Sequence, residues 1–212
     1  TQVATVIPYF ERFIKRFPDI RTLARARPDS VLHLWSGLGY YARARNLHKA
    51  AKRIIAEHGG TFPRELESVV RLPGIGRSTA GAILALAFDQ HRAILDGNVK
   101  RVLARYHAIR APLNRRDVTD QLWQLAERHT PRARVADYTQ AIMDLGATVC
   151  TRTNPDCACC PVRSGCKARK LGTPQNFPVA AKRKPVPVRQ VNMLLIRDAR
   201  DRVLLVKRPP AG

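Results

Sequence analysis

Acidic residues are scarce in this chain. Its 212 residues include 16 Asp and Glu but 38 Lys and Arg, which gives a formal net charge of +22. A solvated surface does not require such an excess of positive charge, and self-repulsion lowers the stability of the folded state. The imbalance therefore predicts a polyanionic partner, most often nucleic acid. Charge alone leaves open whether that partner is DNA or RNA.

The chain also lacks long apolar runs. No stretch reaches the length that spans a bilayer, and no isolated amphipathic segment has the character of a membrane anchor. These absences favour nucleic acid over an anionic membrane surface. No secretory segment is present either, which disfavours a disulfide role for the cysteines. The length suffices for one sizeable core, or for one domain and part of another.

Both ends of the sequence are atypical of a complete protein. It begins without methionine, in an apolar rhythm that starts at Thr1, and it stops at Gly212 just after a strand-like run. We therefore expect a fragment that is cut at both ends.

Cysteine is confined to one short segment. Four cysteines follow the pattern Cys150-x6-Cys157-x2-Cys160-x5-Cys166. Four thiolates hold either a four-iron, four-sulfur (4Fe-4S) cluster or a tetrahedral zinc ion. Structural zinc more often uses two separated Cys-x-x-Cys pairs, and only one such pair is present, so the spacing favours the cluster. Cys159 breaks the pattern and is not expected to be a ligand.

The order of the sequence patterns predicts a mostly α-helical domain over residues 1–171. Near its start, apolar residues at three- and four-residue steps predict one buried helix face. The members of this face are Val6, Phe10, Phe13, Ile14 and Phe17. Residues 172–189 are rich in proline and basic residues, which predicts a solvated linker. Residues 190–212 contain two strand-like runs, 191–196 and 202–206, which predict the start of a second, β-containing domain.

A glycine-rich turn, Leu72-Pro73-Gly74-Ile75-Gly76, lies between two predicted helices. Glycine allows a tight turn and a close approach of the backbone to a ligand. The next helix is expected to begin at about Arg77, so its free N–H groups face the turn and form an anion site. On a duplex this anion is a backbone phosphate. An ordinary helix–turn–helix corner is the alternative, and the charge excess favours the phosphate.

These motifs resemble the helix–hairpin–helix superfamily of DNA base-excision glycosylases. LPGIGRSTA at residues 72–80 is similar to the hairpin of that superfamily, and residues 150–166 are similar to its iron–sulfur loop. ILDGNVK at 94–100 and WSGLGYYARARNL at 35–47 look like the adenine-excising MutY type. KRPP at 207–210 resembles the entry to the Nudix-like C-terminal domain of that type, so residues 190–212 are expected to begin such an α/β domain.

The resemblance implies a monofunctional DNA N-glycosylase that removes adenine mispaired with 8-oxoguanine or guanine in double-stranded DNA. Asp96 is expected to stabilise the positive sugar and Asn98 to orient its carboxylate, while helix capping is a second, compatible role for Asp96. Lys100 is expected to reach a phosphate, or is a plain surface lysine. Tyr40, on a glycine-flanked turn, is either a wedge for the vacated base stack or a core aromatic.

Ser78 separates two branches of the superfamily. The endonuclease III type has a lysine nucleophile there, and a bifunctional glycosylase/lyase of that type is the alternative. The resemblance places a glutamate general acid upstream of the segment matching Thr1, so we expect this fragment to bind DNA but to excise adenine poorly. A non-catalytic, cluster-bearing DNA-binding fragment is therefore a further alternative. The resemblance also implies a monomer in a bacterial cytoplasm, with no membrane attachment.

Overall fold

The fold was examined in a computed structural model that describes residues 3–180, 186–188 and 190–206. The chain divides into two compact units, Thr1–Ala181 and Lys182–Gly212. The first unit is helical, which confirms the predicted fold class for this part of the chain. Its helices are α1 (Val3–Arg16), α2 (Ile20–Arg25), α3 (Pro28–Leu34), α4 (Tyr41–His58), α5 (Leu66–Val70), α6 (Arg77–Phe88), α7 (Gly97–Tyr106), α8 (Arg116–His129), α9 (Val135–Asp144) and α10 (Lys167–Lys170).

Local sequence signals set several helix ends. The Asp19 carboxylate caps α2 by accepting a hydrogen bond of 2.6 Å from the Thr22 N–H, and Asp96 caps α7 in the same way. Helix α4 ends at Gly59, which adopts a left-handed conformation with φ of 60°. None of the helices in the described residues is long and apolar enough to cross a membrane.

Two groups of buried side chains form most of the core. One group joins α7, α8 and α9 around residues such as Leu103, Leu122 and Ile142. The other joins α2, α3 and α4 around Leu23, Val31 and other small or branched residues. The hairpin turn between α5 and α6 is bordered by smaller clusters that anchor it to the rest of the unit.

The first helix differs from the sequence prediction. Phe17 is buried and Phe13 partly buried, but no residue within α1 itself is fully buried, and Phe10 and Ile14 are exposed. Helix α1 packs against α3 with part of its apolar face. The outer part of that face lines an open groove of about 400 Å³ and does not belong to a core. Periodicity identified the apolar face, but it does not reveal whether another segment covers it.

Helix α9 continues directly into a π-helical turn, Leu145–Val149, which leads to Cys150. Gly146 in this turn is packed against α7 so closely that a Cβ atom there would lie 2.6 Å from Cβ of Asn98. This glycine therefore allows the backbone before the cysteine loop to approach the start of α7.

The first part of the predicted linker packs against the helical unit and is not a solvated tether. A short 3₁₀ turn, Pro174–Asn176, follows α10, and the next residue, Phe177, is buried within the first unit. Val179 forms an isolated β-bridge with Pro112. Residues 174–179 therefore pack as part of the helical unit. Residues 181–185 and 189 of the predicted linker lie outside the described residues.

The described part of the second unit contains a turn at 198–202, between the two predicted strands. The Asp198 carboxylate accepts hydrogen bonds from the N–H groups of Arg200 and Arg202, at 2.9 and 3.0 Å. An isolated antiparallel bridge joins Arg197 to Val203. No continuous strand is found in residues 186–188 and 190–206, and the apolar side chains here are exposed. A two-stranded ribbon alone is marginal in water, which accounts for the short pairing.

Candidate functional site

The turn between α5 and α6 is a compact hairpin. The Ile75 N–H donates to the Leu72 carbonyl at 3.1 Å, and the buried Leu72 side chain anchors the turn in the core. Pro73 and Ile75 are half-buried, whereas Gly74 and Gly76 are exposed. Leu72 therefore positions the turn, and the backbone of the glycines is the part that faces outward.

The two hairpin glycines have different environments. Gly74 has φ of +80°, and a Cβ atom there would lie 2.7 Å from Cβ of Asn46. Gly76 precedes α6 with φ of −92° and offers no side-chain cap to its first N–H groups. A Cβ atom at Gly76 would have no described neighbour within 4 Å. Gly74 is therefore required by the turn itself, while Gly76 leaves the helix N-terminus open.

Arg77, predicted to contact DNA, lies against α8. Its guanidinium stacks 3.9 Å from the centre of the Trp123 ring and pairs with the Glu127 carboxylate at 2.6 Å. About half of each side chain in this pair is exposed, so the ion pair contributes modestly to stability. The structure therefore assigns Arg77 a packing role, and the predicted phosphate contact at this position would come from its backbone N–H.

Ser78 and Asp96 are linked through one backbone group. The Ser78 hydroxyl accepts a hydrogen bond of 2.9 Å from the N–H of Leu95, the residue before Asp96. Asp96 then caps α7 by accepting a bond of 2.8 Å from the Val99 N–H. The predicted cap is therefore present, and it fixes the Asp96 carboxylate at the start of the helix. Lys100 lies half-buried one turn further, and its N–H donates to the Asp96 carbonyl at 2.9 Å.

Arg101 connects this region to the cysteine loop. Its guanidinium donates to Oδ1 of Asn98 at 2.8 Å, to the carbonyl of Gly146 at 2.6 Å and to the carbonyl of Cys150 at 2.8 Å. Burial lowers the pKa of Arg101. One side chain therefore orients the Asn98 amide and holds the first residue of the loop.

The four predicted ligands, Cys150, Cys157, Cys160 and Cys166, line one small cavity. Burial and then the three other cysteines raise the pKa of the Cys157 thiol, an effect that requires the sulfurs to be near one another. Cys159 is exposed, and its thiol faces the Asp156 carbonyl at 3.6 Å.

In chemical type the four thiols that line this cavity are the donors of a four-thiolate centre, and Cys159 lies outside it. Within the described residues no three His, Cys, Asp or Glu side chains are close enough together to hold a metal ion. The ligand set stays a prediction.

Tyr40 is an exposed aromatic residue on a strained turn. Its side chain is 71% exposed, which excludes the core role that the sequence had left open. Its φ of 49° lies in the left-handed region, between Gly39 with φ of 77° and the start of α4. The Trp35 indole N–H donates to the Gly39 carbonyl at 2.9 Å and braces this turn. Bulky residues with positive φ cluster at functional sites.

Sequence reasoning missed Arg101 and Arg105. They lie one turn apart on α7, among the buried residues Val102, Leu103 and Ala104. Two arginines at i and i+4 within an apolar helix face were the available signal, because a buried cation requires specific partners.

Solved structures identify the class of protein. A thermostable thymine-DNA glycosylase matches with a TM-score of 0.72 and 26% identity, covering 81% of this chain and 79% of that one. An endonuclease III bound to DNA matches with a TM-score of 0.68 at 21% identity, over 80% and 78% of the two chains. This second likeness concerns the fold alone. The chain belongs to the HhH-GPD superfamily of base excision DNA repair proteins, whose family model matches residues 1–128.

Within this superfamily, the chain is similar to curated adenine DNA glycosylases. The adenine DNA glycosylase of Buchnera aphidicola subsp. Baizongia pistaciae is 49% identical over 168 residues, which are 79% of this chain and 47% of the relative. The enzymes of that name from Mus musculus and Homo sapiens are 49% and 48% identical, over 79% and 80% of this chain and 33% and 31% of theirs. The likeness to the MutY type is thereby confirmed. The chain spans about half the length, or less, of these relatives.

Proposed function

We propose that the full-length protein is a monofunctional adenine DNA glycosylase that removes adenine paired with 8-oxoguanine or guanine in double-stranded DNA. The observation that carries the proposal is the similarity to adenine DNA glycosylases, at 42–49% identity for several relatives. The net charge of +22 supports a duplex partner. The protein would act as a monomer.

Asp96 would stabilise the positive sugar that forms as adenine leaves. An oxocarbenium-like transition state requires a nearby carboxylate. Capping of α7 through Val99 fixes this carboxylate, and Arg101 and Asn98 hold the same turn. Ser78 supports this assignment because its hydroxyl accepts a hydrogen bond from the Leu95 N–H, next to Asp96. The lyase branch requires a lysine nucleophile at the position of Ser78.

The hairpin would bind a backbone phosphate next to the target base. The open N-terminus of α6 at Gly76 supports this contact, which positions the duplex without reading its sequence. The target adenine would be flipped from the stack, with Tyr40 filling or flanking the vacated space.

We expect Gly74→Ala and Gly76→Ala to have different effects. The first forces a side chain into a left-handed turn against Asn46, so unfolding in urea should show a loss of roughly 1–3 kcal/mol. The second meets open space, so stability should stay within about 0.5 kcal/mol while duplex affinity falls, because a methyl group stands beside the phosphate. Equal destabilisation by both changes would contradict the distinction.

Tyr40→Asn is expected to raise stability and to impair handling of the lesion. Asparagine tolerates the left-handed conformation better than tyrosine, so about 1 kcal/mol of strain should be relieved. Without the ring, fluorescence of 2-aminopurine beside the mispair should report less unstacking. Tyr40→Phe, which keeps the ring at this position, is the control. A Tyr40→Asn protein that unstacks DNA normally would exclude the wedge.

The four predicted cysteines would hold a 4Fe-4S cluster. Their common cavity and the separate position of Cys159 support this ligand set, with zinc as the alternative metal. With the cluster bound, the four cysteines would be held as one rigid loop, and its basic residues, such as Lys167 and Lys170, would be available to phosphates. Residues 190–212 would begin a Nudix-like domain.

The test is single-turnover base release by the full-length protein. Adenine release from a duplex with adenine opposite 8-oxoguanine, without prompt strand nicking, is expected. Thymine glycol release with nicking would favour the endonuclease III alternative. Tight duplex binding with no release from either substrate would favour a non-catalytic module.

A further inference from the structure

Arg105 is a buried cation with no carboxylate partner among the described residues. Only 2% of the residue is exposed, in the last turn of α7. The ion pairs found in the described ranges of the chain all join other residues. A buried guanidinium is costly unless an anion compensates its charge. The structure therefore raises the question of which group supplies the countercharge.

The hydrogen bonds of Arg105 satisfy its N–H groups, but all except one of them end at uncharged backbone carbonyls. Nε and both terminal nitrogens donate to five backbone carbonyls, over distances of 2.6 to 3.2 Å. The acceptors belong to Pro174, Phe177, Cys150, Thr151 and Arg152. The remaining acceptor is Sγ of Cys150, at 3.3 Å from Nη1. That sulfur is the only acceptor in this set that can ionise.

The guanidinium lies at the cysteine cavity. Arg105 lines the cavity together with the four predicted ligands. The thiol of Cys166 donates to the Arg105 carbonyl at 3.6 Å. Arg105 thus contacts both the first and the last cysteine of the loop.

We propose that Arg105 is the countercharge of the four-cysteine centre and couples the centre to residues 174–177. The proposal rests on the proposed 4Fe-4S cluster. Four thiolates around the cluster carry net negative charge, which compensates the buried guanidinium. Without the cluster this anionic centre is absent, and the acceptors around the cation are five backbone carbonyls and the Cys150 sulfur. Arg105 therefore stabilises the loaded protein far more than the unloaded one.

A comparison of loaded and unloaded protein separates charge from hydrogen bonding. Arg105→Gln and Arg105→Met remove the charge, whereas Arg105→Lys keeps it. Bonds to the carbonyls are lost in both states, so their contribution cancels when each variant is compared with and without cluster. The change in the free energy of unfolding that remains after this subtraction is due to the interaction between Arg105 and the centre.

The experiment uses the 212-residue chain with cluster reconstituted under anaerobic conditions and verified by iron and sulfide content. For Arg105→Gln and Arg105→Met we expect iron release to a chelator to be roughly 10–100-fold faster, as for other partners of metal ligands. The reduction potential of the cluster should fall in these variants, because they lack the nearby cation that stabilises the more negative, reduced form. Hydrogen exchange at residues 174–177 should rise. Arg105→Lys should restore most of the iron retention and the potential.

Arg169→Gln is the matched control, because Arg169 borders the same cavity but is exposed to solvent. Its charge is screened, so iron release and potential should change little. If Arg105→Gln keeps an intact cluster whose reduction potential and rate of iron release are unchanged, the proposal that Arg105 is the countercharge is wrong. If the chain takes up zinc in place of iron, the proposed cluster is refuted. The comparison of each variant with and without bound metal, made with zinc, would still decide the role of Arg105.

Discussion

Asp96→Asn in the full-length protein is expected to lower single-turnover adenine release on the order of 10³-fold, about 4 kcal/mol of transition-state stabilisation. The two side chains have nearly the same shape. Asparagine is as good an N-cap as aspartate, so the bond to the Val99 N–H at 2.8 Å can be kept. The change therefore removes the negative charge opposite the developing positive sugar while preserving the start of α7.

The control is Asp96→Ala, which removes both the charge and the cap. It should match the loss of activity of Asp96→Asn and, in addition, destabilise the protein by about 1 kcal/mol relative to it. Denaturant unfolding measures the second effect independently of the first. Base release by Asp96→Asn at a rate close to that of the unchanged protein would show that Asp96 acts only as a cap.

The parts of the site that the sequence predicted are those governed by local rules. Asp96 before Gly97 and Asn98 is a cap signal, and the structure forms that cap. The hairpin depends on glycine conformation, and Gly74 indeed has positive φ. Cys159, which the cysteine spacing sets apart, does not line the cavity that the other four cysteines share, while the ligand set itself stays a prediction.

The parts that escaped prediction depend on which segments meet in space. Arg101 and Arg105 bind carbonyls more than forty residues away, and no local pattern specifies such partners. Arg77 begins α6 as predicted, but its contact with Trp123 depends on the packing of α8. Phe177 was assigned to a tether by its proline-rich surroundings, yet its own ring is buried in the helical unit.

The described residues form one connected support for the candidate site. The hairpin leads into α6, where Ser78 holds the N–H of Leu95 and so fixes the approach to Asp96. One turn later Arg101 joins Asn98 to the backbone at Gly146 and Cys150. The chemistry expected at Asp96 therefore shares a hydrogen-bond network with the entry to the cysteine loop, and a disturbance at that entry should reach the start of α7.

Gly146→Ala tests this connection and is the second change for which we expect a large effect. The new Cβ would lie 2.6 Å from Cβ of Asn98 and 3.2 Å from its backbone, so α7 or the π-helical turn must move. Overpacking of this kind costs about 1–3 kcal/mol, and a displacement of about 1 Å at a catalytic group lowers activity on the order of 10²-fold. Urea unfolding and single-turnover adenine release by the full-length protein measure the two effects.

Gly97→Ala is the control for Gly146→Ala because the same methyl group meets open space there, with no described atom within 4 Å. Alanine is the better helix former, so stability should hold or rise by up to about 1 kcal/mol. Stability of Gly146→Ala equal to that of Gly97→Ala would mean that the close packing of the π-helical turn on Asn98 is not required. Lost stability with normal adenine release would instead mean that the contact supports the fold but not the orientation of Asp96.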